Sequence, residues 1–162
     1  MGAARPAGLF ALVLGVLVDQ AHKWYMLGPF AIQEGQRIPV LPFFDWVLVW
    51  NEGVSYGLFT QDSDLGRGVL IAVGLAAAAF FCWWLWTSGR MLTSVAAGLI
   101  AGGGLSNVID RLVHGAVVDN FLLHYGGFQW YVFNLADVWI CAGFAGILLG
   151  WWMERPEKAA DG

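Results

Sequence analysis

The stretch WYVFNLADVWI, residues 130–140, begins an apolar run that continues to Met153. A run of this length crosses a bilayer as a helix, since a crossing needs about 20 residues. It nevertheless carries Asn134 and Asp137, and an ionised carboxylate in hydrocarbon costs at least ~2.5 kcal/mol. An acidic side chain at such a depth is a candidate functional group, so its partners have to be sought elsewhere in the chain.

The composition extends this membrane interpretation to the whole chain. Of the 162 residues, 59% are hydrophobic and 12% are charged, whereas soluble domains carry about 25% charged residues. We predict an all-α membrane protein, a single integral membrane domain over residues 1–162 with a small β-rich subdomain outside the bilayer. The four predicted transmembrane helices are at about residues 7–27, 68–87, 91–109 and 132–153. We expect the first helix to stay uncleaved, because no small-x-small signal follows it.

The charge and the cysteines argue against two kinds of partner. The net charge of -4 and the lack of a basic run give no indication of a nucleic-acid partner. Cys82 and Cys141 lie inside apolar runs, where small apolar residues serve helix packing. No Cys/His spacing resembles a metal site, so we expect no metal.

The connections between the helices are distributed unequally across the membrane. Four spans place both long connections, about 28–67 and 110–131, on one side, while Lys and Arg are balanced between the sides and do not fix the orientation. Residues 36–60 include aromatic and aliphatic residues in strand-like alternation, which predicts the β-rich region. Its sheet would rest on the bilayer or hold an extended peptide at an edge. Residues 110–131 are apolar enough to lie on or re-enter the membrane.

Polar residues occur at the helix ends that share this side. They are Asp19 and Lys23 in the first helix, Asn107, Asp110 and Arg111 in the third, and Asn134 and Asp137 in the fourth. Spacings of three and four residues put each set on one helical face, which we expect to line the bundle interior or a wet cavity. For Asp19 and Lys23 we favour a structural ion pair over a role in the reaction, and we expect Lys23 to extend to the lipid headgroups. We expect Arg111 to contact a partner other than Asp110, since adjacent residues do not face each other.

Asp119 supplies a second carboxylate at the same membrane edge as Asp137. Two neighbouring carboxylates share a proton, because they cannot both ionise easily. One can then act as general base toward water and the other as acid toward a carbonyl, which is aspartic peptide hydrolysis. A proton- or ion-coupled transporter would use the same pair, and these residues alone do not choose between the two functions.

Four segments in matching order give the chain a resemblance to a known family. They are DQAHK from residue 19, NEGVSYGLF from residue 51, GGGLSNVIDRLVHGAVVDNF from residue 102 and FNLAD from residue 133. With these segments the chain resembles the lipoprotein signal peptidases (signal peptidase II), the bacterial aspartic membrane proteases. The resemblance implies removal of signal peptides from lipid-modified prolipoproteins, just before the diacylglyceryl-cysteine, at the outer face of the inner membrane. It also implies no cofactor, contact with membrane lipids, and a multi-pass monomer.

The same resemblance assigns roles to individual residues. It implies that Asp119 and Asp137 are the catalytic dyad. The residues that would bind substrate or support the site are Asp19, Lys23, Asn51, Gly53, Gly103, Asn107, Asp110, Arg111, Asn134 and Ala136. It places both termini in the cytoplasm, and the β-rich region and the catalytic segment 110–131 on the extracytoplasmic, periplasmic side.

Two residues depart from the pattern of this family. Ser106 stands where glycine is usual, which a helix interior should tolerate or prefer. Asn120 stands where an aromatic residue is usual. We expect Asn120 to donate a hydrogen bond to Asp119 and to favour its ionised form.

Overall fold

Four long helices form the membrane part of the molecule. The computed structural model of the chain describes residues 2–53 and 64–153. Within these ranges the helices are α1 (Ala4–Leu27), α2 (Asp64–Thr87), α3 (Met91–Val113) and α4 (Leu135–Met153), each long and apolar enough to cross a membrane. With the small sheet described below, this confirms the predicted fold class.

The helix ends differ from the predicted ones by up to four residues. α1 begins at Ala4 instead of 7, α2 at Asp64 instead of 68, and α3 continues to Val113 instead of 109. The predicted ends followed the apolar runs, whereas helical hydrogen bonding continues through polar residues such as Asp110. α4 begins at Leu135 instead of 132, because Asn134 caps it.

Helix α3 lies at the centre of the bundle and contacts α1, α2 and α4. Its small residues make this possible, because they let neighbouring backbones approach closely. A Cβ atom on Gly102 would lie 2.6 Å from the carbonyl oxygen of Leu12 in α1. A Cβ atom on Gly103 would lie 2.5 Å from the carbonyl oxygen of Ala136 in α4. The middle of α3 therefore sits directly against the start of α4.

A four-stranded antiparallel sheet lies at the end of the bundle where α1 and α3 finish. Its strands, in spatial order, are β1 (Arg37–Leu41), β2 (Phe44–Asn51), β3 (Val117–Tyr125) and β4 (Phe128–Gln129). Met26 and Ile32, just before and after the end of α1, pack with Leu48 and Val118 of the sheet in one apolar cluster. Residues 54–60 of the predicted β-rich region lie outside the described residues.

The predicted segment 110–131, expected to lie on or re-enter the membrane, contains a strand. Residues 117–125 form β3, between β2 and β4. The side chains of Val117, Val118, Phe121 and Leu122 in this strand are buried, whereas Leu123 and Tyr125 are exposed, and its backbone groups pair with β2. The strand register puts Val49 opposite Asp119, so one candidate aspartate sits in the middle of the sheet.

Candidate active site

The two candidate aspartates approach the same point from different elements. Asp119 lies in β3 and is only 2% exposed, while Asp137 lies in the first turn of α4. Both line one cleft of about 320 Å³. The structure therefore brings the two predicted carboxylates together, Asp119 from the strand β3 and Asp137 from the helix α4.

Asn134 connects the two aspartates. Its Nδ2 donates to Asp119 Oδ1 over 2.6 Å, and its Oδ1 accepts from the backbone N–H of Asp137 over 3.0 Å. Asp137 Oδ2 in turn accepts from the backbone N–H of Asn134 over 3.2 Å. This reciprocal pair is a capping box, which satisfies two backbone donors at the start of α4. One side chain thus fixes the position of Asp137 and binds Asp119.

Two further amides complete the hydrogen bonding of the carboxylates. Asn51 Nδ2 donates to Asp119 Oδ2 over 3.0 Å, and Asn107 Nδ2 donates to Asp137 Oδ1 over 3.3 Å. Each carboxylate therefore accepts hydrogen bonds on both oxygens. Such bonds hold a carboxylate in one orientation and favour its ionised form.

The pKa of Asp119 is raised to about 7. Burial is the largest cause and the neighbouring charge of Asp137 adds to it, while the hydrogen bonds from Asn51 and Asn134 lower the pKa. Close to neutral pH, Asp119 can therefore both take up and release a proton. This is the property that general acid–base catalysis requires.

Arg111 brings a positive charge to the same end of the cleft. Its guanidinium donates to the carbonyl oxygen of Gly53 over 2.7 Å and to that of Asn107 over 3.3 Å. Its Nε has no hydrogen-bond partner among residues 2–53 and 64–153. As predicted, the partner of Arg111 is not Asp110.

Behind the aspartates, Lys23 joins two buried carboxylates. Its Nζ lies 2.7 Å from Asp19 Oδ2 and 2.6 Å from Asp110 Oδ2, and it donates to Asn107 Oδ1 over 3.4 Å. The predicted ion pair between Asp19 and Lys23 is confirmed. The expectation that Lys23 extends to the headgroups is wrong, because Lys23 is only 2% exposed. Asp110 attracts the ammonium group inward.

Asn120 does not act on Asp119 as expected. Successive side chains of a strand point to opposite faces, so Asn120 points away from the site. Its Nδ2 donates to the carbonyl oxygen of Val47 over 3.1 Å, which ties β3 to β2. The role of Asn120 is therefore within the sheet.

The remainder of the cleft is apolar and runs between three helices. Its walls are formed mainly by Leu70, Val73, Ala77 and Phe81 of α2, Ile100 and Val108 of α3, and Ile140 and Phe144 of α4. Asn51, Gly53, Asn107 and Arg111 lie with the two aspartates on its polar part. In the described part of the chain, no three His, Cys, Asp or Glu side chains are arranged to hold a metal ion.

Comparisons with known proteins agree on one family. The sequence profile described as Signal peptidase (SPase) II matches residues 11–153. A lipoprotein signal peptidase of Methylorubrum extorquens (strain PA1) is 48% identical over 144 residues, which cover 88% of this chain and 84% of the relative. A lipoprotein signal peptidase of Nitrobacter hamburgensis is 40% identical over 158 residues, covering 95% and 96%.

A solved structure described as a bacterial membrane enzyme shares the fold. It superposes with a TM-score of 0.82 at 21% identity, over 96% of this chain and 93% of its own. None of these similarities supports the proton- or ion-coupled transporter that the residues alone left open. Since the profile spans most of the chain, and both relatives are at least 40% identical over most of it, this chain belongs to the signal peptidase II family.

Proposed function

We propose that this chain is an aspartic endopeptidase whose Asp119 and Asp137 hydrolyse prolipoproteins just before the diacylglyceryl-cysteine. The family supports a multi-pass inner-membrane protease that removes signal peptides from prolipoproteins. The observation that carries the aspartic type is the meeting of two hydrogen-bonded carboxylates on the polar part of an apolar cleft. No cofactor enters the proposal.

The proposed chemistry needs one proton shared between the two carboxylates. The ionised carboxylate takes a proton from a water molecule, whose oxygen attacks the carbonyl carbon of the scissile peptide bond. The protonated carboxyl gives its proton to the carbonyl oxygen, which neutralises the developing charge. When the tetrahedral intermediate collapses, the C–N bond breaks and the leaving nitrogen takes up the proton that the base took from water. One hydroxyl of the intermediate returns its proton to the carboxylate that acted as acid, so a carboxylic acid and an amine leave and the pair again shares one proton. The two carboxyls titrate as a pair, and the apparent pKa values of the reaction belong to that pair.

The amides around the dyad have positioning roles in this proposal. Asn134 and Asn51 orient Asp119, and Asn107 orients Asp137. Arg111 donates a hydrogen bond to the Gly53 carbonyl oxygen, and this bond holds the segment that follows β2 against the cleft. The residues that support the site from behind are Asp19, Lys23, Gly103, Asp110 and Ala136.

The apolar walls of the cleft suit the substrate that the family implies. The cleft lies between α2, α3 and α4, all helices that are apolar enough to span the membrane. An apolar segment of a prolipoprotein could enter it from the lipid and bring its scissile bond to the dyad. We place this end of the bundle at the periplasmic face, with both termini in the cytoplasm, and treat the enzyme as a monomer in contact with membrane lipids.

Substituting each aspartate by asparagine tests the proposal. Asparagine keeps the shape of the side chain but neither accepts nor delivers the proton, so Asp119→Asn and Asp137→Asn should each reduce turnover of a diacylated prolipoprotein by at least about 10²-fold. The double variant should be little worse than either single one, because the two groups act as a unit. Turnover and substrate binding would be measured for all three in one detergent.

A matched control separates this effect from the loss of any carboxylate. The Asp64 side chain, at the start of α2, is 93% exposed, so Asp64→Asn should leave turnover unchanged. An unlipidated prolipoprotein should remain uncleaved by the wild type. Near-normal turnover by either single dyad variant would refute the assignment of the dyad.

A further inference from the structure

The two buried carboxylates behind the site each bind the backbone just before a dyad residue. Asp19 Oδ1 accepts from the N–H of Ala136 over 2.9 Å, and Asp110 Oδ2 accepts from the N–H of Val118 over 3.1 Å. Ala136 precedes Asp137 and Val118 precedes Asp119. Since peptide units are rigid, a shift of either carboxylate is passed to the neighbouring aspartate.

A neutral donor completes the hydrogen bonding of each carboxylate. Ser106 Oγ donates to Asp19 Oδ2 over 2.6 Å. Gln20 Nε2 donates to Asp110 Oδ1 over 2.7 Å, and also to Ser106 Oγ over 3.0 Å. Asp19 and Asp110 therefore have the same three kinds of partner: the shared Lys23, one neutral side chain, and the amide before a dyad residue.

Charge explains why the neutral donors matter. Lys23 offers one positive charge to two buried carboxylates, so the group carries a formal excess of one negative charge. A buried carboxylate with too few donors is costly, and it moves toward whichever donors remain. If the donor from Ser106 is lost, Asp19 keeps two partners within the described residues, Lys23 and the Ala136 amide. Any readjustment then displaces the start of α4, where Asp137 lies.

We propose that Ser106, together with Gln20, is a positioning residue for the Asp119–Asp137 pair and acts through Asp19 and Asp110. The inference rests on the proposed catalytic role of the two aspartates. Neither Ser106 nor Gln20 lines the cleft, so they affect the reaction through geometry and not by contact with substrate. Their loss should therefore lower kcat and leave KM nearly unchanged.

Two substitutions of Ser106 give opposite expectations for a positioning role and for a merely structural one. Ser106→Ala puts a methyl group beside Asp19 and leaves neither a donor nor space for one. Ser106→Gly opens about the volume of one water, ~30 Å³, next to Asp19 Oδ2 and Gln20 Nε2, and a water there can replace the hydroxyl. A positioning role predicts that glycine is more active than alanine. Helix stability alone predicts the reverse, since alanine is the better helix former.

The experiment measures kcat and KM per folded molecule with a diacylated prolipoprotein. Ser106→Ala should lower kcat roughly 10- to 100-fold, the loss expected when reacting groups are misplaced by about 1 Å or less, with KM within about twofold of wild type. Ser106→Gly should recover most of kcat. Ser94→Ala is the matched control, because Ser94 is an equally buried serine at the other end of α3 and its hydroxyl bonds to Leu85 and Ser88, far from the two aspartates in the chain.

The possible outcomes separate this inference from the assignment of the dyad. Asp137→Asn is measured alongside: if it keeps turnover, the dyad itself is wrong. If it is inactive but Ser106→Ala matches Ser94→Ala, or alanine is at least as active as glycine, the positioning role is refuted. If Ser106→Ala cannot be recovered folded, the same kinetic measurement is made on Gln20→Leu, because Gln20 is only half-buried and its substitution disturbs the fold less. Wild-type kcat in that variant would likewise refute the inference.

Discussion

At the scale of single residues, Asn134 does most to define the site. In the sequence it is a polar residue three positions before Asp137. This spacing fits two roles: a residue on the same helix face as Asp137, or the N-cap of the helix that contains Asp137. In the structure it is the residue before α4, and its side chain caps the helix while donating to Asp119 and to Asn107. The cost of placing Asp137 in an apolar run is thus reduced by a capping box at the helix start.

These two roles of Asn134 can be separated by substitution. Ser also caps helices well, but its side chain is too short to reach Asp119 from the capping position. Asn134→Ser should therefore keep thermal stability in detergent and turn over more slowly, whereas Asn134→Ala should show both slower turnover and a loss of about 1 kcal/mol of stability. Equal stability losses in the two variants would contradict the capping role.

The serine variant should also change the pH dependence of turnover. The Asn134 amide favours the ionised form of Asp119, so its removal raises the pKa of this carboxyl above its present value of about 7. More of Asp119 is then protonated at neutral pH, and the limb of the pH–rate profile that reports ionisation of the pair should move to higher pH. A limb that stays in place or moves to lower pH would show that Asn134 does not act on Asp119.

At the scale of elements, apolar length predicts the helices well and the strands poorly. Twenty apolar residues in a row have few alternatives to a membrane span. β3 is also largely apolar, and nothing local distinguishes a sheet strand from a segment that lies on the membrane. The strand forms because β3 pairs with β2, which lies more than sixty residues earlier in the chain. A local pattern cannot reveal such a distant partner.

Asp45, within the sheet, is a second case in which contacts between distant residues cannot be predicted from the sequence. Its place in an alternating strand gives no sign that the side chain is buried, yet it is only 2% exposed. Arg37 of β1 and His124 of β3 bind its carboxylate from both sides. Burial alone would raise the pKa of Asp45, but the hydrogen bond from Arg37 and the neighbouring His124 imidazole lower it. Only the strand register brings the three together, so no sequence spacing could have shown the cluster.

Close helix packing at small residues gives a prediction at this scale. A Cβ atom on Gly98 of α3 would collide with the backbone carbonyl of Gly8 in α1, and a backbone cannot rotate away as a side chain can. Gly98→Ala should therefore cost about 1–3 kcal/mol, the range for overpacked cores, and lower the yield of folded protein. Gly68→Ala is the control, since a Cβ atom on Gly68 in α2 meets nothing within 4 Å and alanine favours the helix. If both variants unfold at the same temperature, the α1–α3 contact is looser than described.

At the scale of the whole molecule, the two ends of the bundle differ. The sheet, the proposed dyad and the buried charges all lie where α1 and α3 end and α4 begins. At the other end, α2 joins α3 through a turn of three residues, and Arg5 binds the carbonyl oxygen of Trp86. The sequence predicts this asymmetry from the lengths of the connections. It cannot give the orientation, because the eight Lys and Arg residues are divided evenly between the two sides.

Cysteine labelling in intact cells tests the proposed orientation. Cys82 and Cys141 would first be replaced by alanine, which leaves a background without thiols. A single cysteine at Gln129, exposed in β4, should then react with a membrane-impermeant maleimide added to the periplasmic side. A single cysteine at Ser88, in the turn between α2 and α3, should react only after the membrane is permeabilised. The four spans require the two positions to behave oppositely, and the proposed orientation decides which of them reacts first. If only Ser88→Cys is labelled from outside, the orientation is the opposite of the proposed one and the two aspartates lie at the cytoplasmic face. If both positions are labelled from outside, the four-span topology is wrong.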